Sequence, residues 1–301
     1  MKSKVYITAY GKDGIDKGIH ELSLNGKLTR EKYLPVSGKC NLVIEYDSKL
    51  LISVKYADFN QLEVYDLDFN LLKTYDSPYF YSYGNIRNNK CYLASYENGV
   101  DSVFDLEKEC FISHNIHKKE GLKAKSHYIQ CLGDKIIGIE NCLQQFIIYK
   151  NDHLEVERMI EYSIINIRLL SFHPNGKYAY MNTEYSNEII VLDTNDFSVL
   201  NRYQMVDRDG WYSGGNAISK DGKNVCSSIR GEDMIYIFET NESELRFIKK
   251  IKCGSIPRDL VFVNEYLLAS CTNDNCVEVY DQEFNKIDSL SMNQPITFGL
   301  E

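Results

Sequence analysis

Short runs in which apolar and polar residues alternate recur along the whole chain, and no long stretch has the 3.6-residue apolar period of an amphipathic helix. Six of these runs end in an aromatic residue or leucine, usually followed by an acid, at intervals of roughly 43 residues. They are Val64-Tyr65-Asp66, Val103-Phe104-Asp105, Ile148-Tyr149-Lys150, Val191-Leu192-Asp193, Ile237-Phe238-Glu239 and Val279-Tyr280-Asp281. A repeat of this length predicts one small antiparallel sheet per repeat.

The number of repeats predicts a seven-bladed β-propeller. Six units cover about residues 41–292, and the segment from Val5 to Val36 has the same pattern without a complete unit. The segment from Gln294 to Leu300 has the pattern of one isolated strand. If this strand completes the N-terminal sheet, residues 1–301 form a single all-β domain, and strands from both chain ends close the ring within one blade.

Charge and cysteine content limit the classes of function. The net charge of −9, with no dense run of Lys or Arg, argues against nucleic-acid binding. The longest apolar run is far shorter than the ~20 residues that span a bilayer, and no signal-type apolar stretch opens the chain. The nine cysteines, an odd number without CxxC spacing, indicate reduced thiols. We expect a cytoplasmic protein without membrane contact, disulfides, metal or organic cofactor.

Equivalent positions in the repeats predict where a site forms, because the loops at one end of a propeller surround a concave funnel. Roughly 21 to 23 residues before each repeated phrase stand Asn41, Ser82, His127, Arg168, Gly214 and Arg258. Roughly seven or eight residues before it stand Tyr56, Tyr96, Glu140, Glu184, Arg230 and Thr272. Because propeller blades are radial, we expect the charged members of both sets to converge near the axis.

The chemistry of these residues predicts an anion site. Arg168, Arg230 and Arg258 can hold a carboxylate or phosphate, because each guanidinium offers paired hydrogen-bond donors. A nearby glutamate offsets the repulsion between the arginines when the site is empty. His127 and Glu184 are candidate proton-transfer groups. The alternative is that these polar residues satisfy only one another and bound water.

Several motifs in the second half of the chain resemble the lactonase seven-bladed propeller family, which includes bacterial 6-phosphogluconolactonase and the fungal 3-carboxy-cis,cis-muconate lactonizing enzyme. The stretch from Ile167 to Glu184, IRLLSFHPNGKYAYMNTE, is similar to the family's Pro-Arg-His, Phe-His-Pro-x-Gly-Lys-Tyr-x-Tyr and following Glu. The segments 219–222, 228–231 and 256–260 resemble its Pro-Asp-Gly, Asn-Arg-Gly and Pro-Arg-x-Phe motifs. The resemblance covers nearly the whole chain and is firmest from about position 165 onward.

The resemblance implies an active site formed by His127, Arg168, Glu184 and Arg230, with Arg258 and Glu140 close by as substrate-binding residues. It implies an enzyme that hydrolyses or forms the lactone of an acidic sugar or organic acid, without a cofactor. The substrate would be a small anion, and its phosphorylation stays open.

Departures from the family pattern leave other functions open. Lys125, Leu169 and Thr272 stand where the family often has His, His and Gln, which indicates a changed substrate or a lost reaction. The alternative is a propeller that only binds, either a small anion in the funnel or a protein partner on its rim. The aromatic cluster from Tyr79 to Tyr83 is the candidate surface for such a partner, although ordinary packing also explains it.

Overall fold

The computed structural model describes residues 3–163, 166–241 and 243–299. In chain order the first fifteen strands are β1 (Ser3–Ala9), β2 (Gly18–Leu24), β3 (Leu28–Pro35), β4 (Lys39–Tyr46), β5 (Lys49–Lys55), β6 (Asn60–Asp66), β7 (Leu71–Ser77), β8 (Tyr83–Arg87), β9 (Lys90–Ser95), β10 (Val100–Asp105), β11 (Cys110–Ile116), β12 (Ser126–Leu132), β13 (Lys135–Glu140), β14 (Gln145–Tyr149) and β15 (Val156–Glu161). The remaining strands are β16 (Ile167–Phe172), β17 (Tyr178–Thr183), β18 (Glu188–Asp193), β19 (Val199–Gln204), β20 (Tyr212–Ile218), β21 (Asn224–Arg230), β22 (Met234–Asn241), β23 (Glu244–Lys252), β24 (Pro257–Val263), β25 (Tyr266–Cys271), β26 (Cys276–Tyr280), β27 (Lys286–Ser291) and β28 (Pro295–Phe298).

The strands form seven sheets of four strands each. Sheet 1 has the order β28-β1-β2-β3, and sheets 2 to 7 take the following strands four at a time, from β4–β7 to β24–β27. Within the described ranges there is no helix that is long and apolar enough to cross a membrane.

Contacts within the chain divide these sheets between two compact units. The first unit is Met1–Tyr33 with Leu169–Phe298, and it contains sheets 6 and 7 and most of sheets 1 and 5. The second unit is Leu34–Arg168 with Gly299–Glu301, and it contains sheets 2, 3 and 4. The single domain expected for residues 1–301 stays a prediction.

The repeated phrase of the sequence forms the third strand of a sheet. Its first residue is buried in all six repeats, at Val64, Val103, Ile148, Val191, Ile237 and Val279. The fourth strand is different, because side chains of β7 and β15 are mostly exposed. A third strand that is covered on both faces needs apolar residues at nearly every position, whereas a solvated outer strand does not.

The last described strand closes the first sheet. In the pairing of β28 with β1, Ile7 lies opposite Phe298 and Ala9 opposite Pro295. This confirms the prediction that the C-terminal segment completes the N-terminal sheet. Leu300, the last residue of the predicted strand, lies outside the described residues.

Two glycines allow the first strands of sheets 6 and 7 to pack closely. A Cβ atom at Gly214 would lie 2.2 Å from the carbonyl oxygen of Pro257, and one at Gly215 would lie 2.3 Å from the nitrogen of Leu260. Any larger residue would therefore force β20 and β24 apart. This contact between strands explains the Gly214-Gly215 pair.

Candidate active site

Candidate site residues occupy β-bulges in the first strands of their sheets. The ladder between the first and second strands shifts between Cys40 and Leu42, Ser126 and Tyr128, Ser213 and Asn216, and Pro257 and Asp259. The residues inside these irregularities are Asn41, His127, Gly214 with Gly215, and Arg258. A bulge turns its extra residue away from the regular pleat, and bulges are common next to active sites. Four of the six positions in the first set therefore share this irregular backbone geometry.

The second set of positions lies on the four-residue turns between second and third strands. Glu184 and Thr272 are each the first residue of such a turn. Arg230 is the last residue of β21 and the first residue beyond the last β21–β22 pair, Ile229 with Met234. In sheet 4, Glu140 is paired with Gln145 at the end of the ladder, so the turn begins at Asn141. Asn141, one residue later than the sequence count indicates, is the structural equivalent of Glu184.

Glu184 and Arg230 form an ion pair between the turns of sheets 5 and 6. Nη2 of Arg230 lies 2.5 Å from Oε1 of Glu184, and the two side chains are 17% and 12% exposed, respectively. The same Nη2 donates a hydrogen bond of 2.8 Å to the carbonyl oxygen of Ser213. The backbone N–H of Ser213 in turn donates to the carbonyl oxygen of Glu184, at 2.9 Å. These contacts hold the mostly buried carboxylate of Glu184 and guanidinium of Arg230 together at the ends of sheets 5 and 6.

Two exposed tyrosines lie beside this pair. Tyr212 is the cross-strand partner of Arg230, so both side chains are on the same face of sheet 6. Tyr185 follows Glu184, and the rings of Tyr185 and Tyr212 meet edge to face with centroids 5.0 Å apart. They are 48% and 37% exposed. The ion pair is therefore flanked by aromatic surface that is open to solvent.

Arg258 lies in the same unit but has a different neighbour. Its guanidinium carbon is 5.9 Å from the centre of the Tyr10 ring. Such a cation–π contact positions the arginine without neutralising its charge. Arg258 therefore keeps its capacity to bind an anion.

In the second unit, His127 contacts the turn of the preceding sheet. The rings of His127 and Tyr96 meet edge to face with centroids 5.3 Å apart. Nζ of Lys125 donates a 3.2 Å hydrogen bond to the hydroxyl of Tyr96 and lies 4.9 Å from the centre of its ring. Tyr96 is the equivalent of Glu184 in the repeat, so a turn position and a bulge position are again in contact.

Arg168 is buried near the start of β16, with 6% of its surface exposed. The side-chain nitrogen of Asn141 donates a 3.0 Å hydrogen bond to the carbonyl oxygen of Ile167, the residue before Arg168. The turn of sheet 4 thus fixes the backbone from which Arg168 extends.

Glu140 is fully buried and supports its own turn. Its carboxylate accepts hydrogen bonds from the backbone N–H groups of Lys125 and Leu143, the latter at 2.6 Å. Burial raises the pKa of Glu140 to about 7, although the bond from Leu143 works in the opposite direction. Through these contacts the carboxylate of Glu140 stabilises the turn between β13 and β14.

A buried network that the sequence did not reveal adjoins Glu140. Asp101 accepts hydrogen bonds from Ser126 and from the Tyr149 hydroxyl, the latter at 2.6 Å, and its carboxylate lies 3.3 Å from Nε2 of His117. Burial disfavours the imidazolium, but Asp101 and Glu140 raise the pKa of His117 above its ordinary value. Only the fold reveals this network, because its members come from separate strands and connections.

The structure brings together some of the predicted residues. Glu184 is paired with Arg230 in the first unit, and His127 contacts the neighbouring turn in the second. Convergence of His127, Arg168, Glu140, Glu184, Arg230 and Arg258 on a common axis stays a prediction.

Comparison with known proteins identifies the relatives of this fold. The chain matches the model of the family described as lactonase, 7-bladed β-propeller, over residues 166–294. The 6-phosphogluconolactonase of Bacillus subtilis (strain 168) is 38% identical over 115 residues, which are 34% of this chain and 33% of that protein. A solved structure of a protein from Lactobacillus plantarum is similar with a TM-score of 0.89 and 18% identity, and the match covers 99% of both chains. The periplasmic gluconolactonase of Pseudomonas aeruginosa has a TM-score of 0.85 and 13% identity, with 99% of this chain and 98% of that chain covered.

These matches confirm the predicted resemblance to the lactonase family and the predicted fold, a seven-bladed β-propeller. The sequence match spans only about a third of the length of the Bacillus subtilis relative. The segment that matches the family contains Arg168, Glu184, Arg230 and Arg258, whereas His127 and Glu140 lie outside it.

Proposed function

We propose that the protein is a lactonase-type enzyme of the cytoplasm that hydrolyses the lactone of an acidic sugar or organic acid. The observation that carries the proposal is the ion pair between Glu184 and Arg230, which lies inside the segment that matches the lactonase family. A carboxylate and a guanidinium at hydrogen-bond distance can serve the two needs of lactone opening, which are proton removal from water and stabilisation of an oxyanion.

In the proposed reaction, Glu184 takes a proton from a water molecule while the water oxygen adds to the ring carbonyl carbon. Arg230, with Arg168 and Arg258, stabilises the oxyanion and holds the carboxylate or phosphate of the substrate. The intermediate collapses, the ring C–O bond breaks, and the ring oxygen leaves as a hydroxyl after it receives a proton. In this proposal His127 returns this proton, and the buried Glu140 assists binding only by holding its turn in place. Lactone formation would use the same groups in the reverse order.

Aromatic surface beside the ion pair supports a substrate with a ring. Tyr185 and Tyr212 expose ring surface next to Glu184 and Arg230. The C–H face of a sugar lactone can pack against such rings while its polar groups reach the charged pair. The tyrosines therefore favour a sugar lactone over a small aliphatic one.

The departures from the family pattern favour a second candidate function, an anion-binding propeller without turnover. Leu169 is buried at 8% exposure, and the hydroxyl of Thr272 donates a 2.8 Å hydrogen bond to the carbonyl oxygen of Pro295. Neither side chain offers the imidazole of the histidine or the amide of the glutamine that the family often has at these positions. In this case the arginines would hold an anion but no water would be activated.

The decisive experiment is a pH-indicator assay against a panel of phosphorylated and unphosphorylated sugar-acid lactones and muconate-type lactones. We expect hydrolysis of at least one lactone by the wild-type protein and loss of this rate in Glu184→Gln. Glu239→Gln is the matched control, because Glu239 forms a comparable ion pair with Arg246 on an exposed strand. Turnover that survives Glu184→Gln would remove Glu184 from the proposed reaction. No turnover of any lactone, together with measurable anion binding, would replace this proposal with the second candidate.

A further inference from the structure

Sheet 7 contains a cluster of two thiols and a carboxylate, formed by Cys271, Cys276 and Glu278. Their two sulfur atoms and a carboxylate oxygen all lie within 4.8 Å of one another. Cys271 and Glu278 are buried, and Cys276 is partly exposed. These ligand atoms are close enough together to hold one metal ion.

The register of the sheet creates the cluster. Cys271 at the end of β25 is directly paired with Cys276 at the start of β26, so both side chains lie on the same face. Glu278 follows Cys276 by two residues and also lies on this face, because side chains alternate along a strand. Sγ of Cys271 lies 3.6 Å from Oε2 of Glu278.

Neighbouring groups fix the orientation of the carboxylate. Oε2 of Glu278 accepts hydrogen bonds from the Tyr280 hydroxyl at 2.5 Å and from the backbone N–H of Gly254 at 3.0 Å. Nζ of Lys286 donates a 2.8 Å hydrogen bond to Oε1. Burial opposes ionisation, but these three donors keep the pKa of Glu278 below its ordinary value. Outer partners of this kind orient the ligands of metal sites.

A comparison with sheet 2 separates the features of this cluster that recur in another sheet from those that do not. Glu63 is the repeat equivalent of Glu278, and it accepts hydrogen bonds of 2.6 Å from Tyr65 and Tyr56. A buried glutamate bound by tyrosine is therefore a recurring structural feature of the blades. The two thiols do not recur in sheet 2, since Val54 and Gln61 occupy the equivalent ladder positions there.

We propose that Cys271, Cys276 and Glu278 bind one zinc ion, with a water molecule or the neighbouring Cys253 as the fourth ligand. Zinc prefers four ligands in tetrahedral geometry, and thiolate, imidazole and carboxylate are its usual protein ligands. The two thiolates and the carboxylate carry three negative charges, which the ion and Lys286 together balance. With water as the fourth ligand, the buried site is thus neutral when occupied, as burial of charge requires.

Binding must displace protons. Without a metal, a hydrogen bond with Cys253 and burial raise the pKa of the Cys271 thiol, although the contact with Cys276 lowers it. A hydrogen bond with Cys271 and burial raise the pKa of the Cys276 thiol. Each thiol therefore gives up one proton as its sulfur–zinc bond forms. Zinc affinity should increase with pH for this reason.

The ion would tie together two segments that border the cluster. Cys253 and Gly254 belong to the connection into sheet 7, and a Cβ atom at Gly254 would lie 2.8 Å from Cβ of Cys271. The glycine allows this connection to approach the turn between β25 and β26. Zinc binding would therefore stabilise the turn, whether or not the protein is a lactonase.

The test is titration of the reduced full-length protein with Co²⁺ and Zn²⁺. We expect one equivalent of Co²⁺ to produce a thiolate-to-cobalt charge-transfer absorption, and Zn²⁺ to displace it. Cys276→Ser should weaken binding at least tenfold, and Cys271→Ser should do the same. Cys110→Ser is the matched control, because Cys110 is an exposed cysteine of sheet 3.

If Cys271→Ser fails to fold, Cys276→Ser still tests the proposal, because Cys276 is partly exposed and its substitution should disturb the fold less. No charge-transfer absorption in the wild-type protein, or an absorption that Cys276→Ser retains, would overturn the proposal. Loss of two free thiols on mild oxidation without any metal uptake would also overturn it, and would assign the pair to a disulfide.

Discussion

Nη2 of Arg230 lies 2.5 Å from Oε1 of Glu184, and the same nitrogen also binds the carbonyl oxygen of Ser213. The charge of each partner is therefore compensated while no substrate is bound. An anionic substrate that binds Arg230 would compete with Glu184 for the guanidinium. This competition would release the carboxylate to accept a proton from water, which links substrate binding to activation of the base.

Arg230→Lys should separate the geometry of the guanidinium from its charge. A lysine keeps one positive charge but cannot donate in the planar, paired arrangement of arginine. We expect kcat/KM for the responsive lactone to fall by about 10²-fold, which corresponds to about 2.7 kcal/mol. Steady-state kinetics measures this change.

Arg246→Lys is the control for that variant, since Arg246 on the exposed strand β23 pairs with Glu239 of β22. It should leave kcat/KM within about twofold of the wild-type value. An Arg230→Lys enzyme with unchanged kinetics would remove Arg230 from the proposed site.

Tyr212→Ala should weaken binding of a sugar lactone without altering the chemical step. The variant removes exposed ring surface but leaves the contacts of Glu184 and Arg230 in place, because those contacts use backbone atoms of Ser213. We expect KM to increase about tenfold with kcat largely retained. Phe247→Ala removes an exposed ring from β23 and should leave both constants unchanged. A fall in kcat alone would contradict the proposed role of Tyr212.

Stability should decrease as pH rises through the range in which Glu140 ionises. The pKa of Glu140 is about 7 in the folded protein and has an ordinary value of 4.5. The folded state binds more protons between these values, so the stabilisation is complete below pH 4.5 and is lost as the pH approaches 7. The shift corresponds to at most about 3 kcal/mol.

Urea unfolding of wild type and Glu140→Gln between pH 4.5 and 8 tests this dependence. The raised pKa of His117 acts in the same direction, since its stabilisation is also lost with rising pH. Glu140→Gln should therefore flatten the profile but not abolish its slope. An unchanged profile would show that Glu140 does not titrate in this range.

Gly215→Ala should destabilise the contact between sheets 6 and 7. The added Cβ would lie 2.3 Å from the nitrogen of Leu260, so backbone atoms would have to move. We expect a loss of about 3 kcal/mol in the free energy of unfolding. Gly176→Ala is the control, because its Cβ would meet open space and its cost is limited to the backbone angle φ of 72°. Equal losses in both variants would contradict the packing argument.

Residue periodicity was sufficient to predict the sheets and the closing strand. The apolar phrase lies in the third strand, which needs apolar residues because it is buried on both faces. The spacing of the phrase along the sequence is therefore the length of one repeat. The count of residues also located His127 and Arg258, because each lies at the same distance from the phrase. It could not show that these residues occupy bulges, since a bulge is a property of the pairing between strands.

The sequence was less informative about residues whose positions depend on the register of pairing between strands. Glu140 was counted as the equivalent of Glu184, but the ladder of sheet 4 assigns that position to Asn141. The thiol cluster was missed for a related reason. Cys271 and Cys276 are separated by four residues, and only their cross-strand pairing brings both sulfur atoms to Glu278.

The closing strand also constrains how the protein is made. The hydroxyl of Thr8 in β1 donates to the carbonyl oxygen of Thr297 in β28, across 289 positions of sequence. During synthesis β1 must therefore keep one edge without its partner until nearly all the other strands have left the ribosome. A nascent chain that stalls before β28 would present this edge to other molecules, so pairing with β28 protects β1 against misassembly.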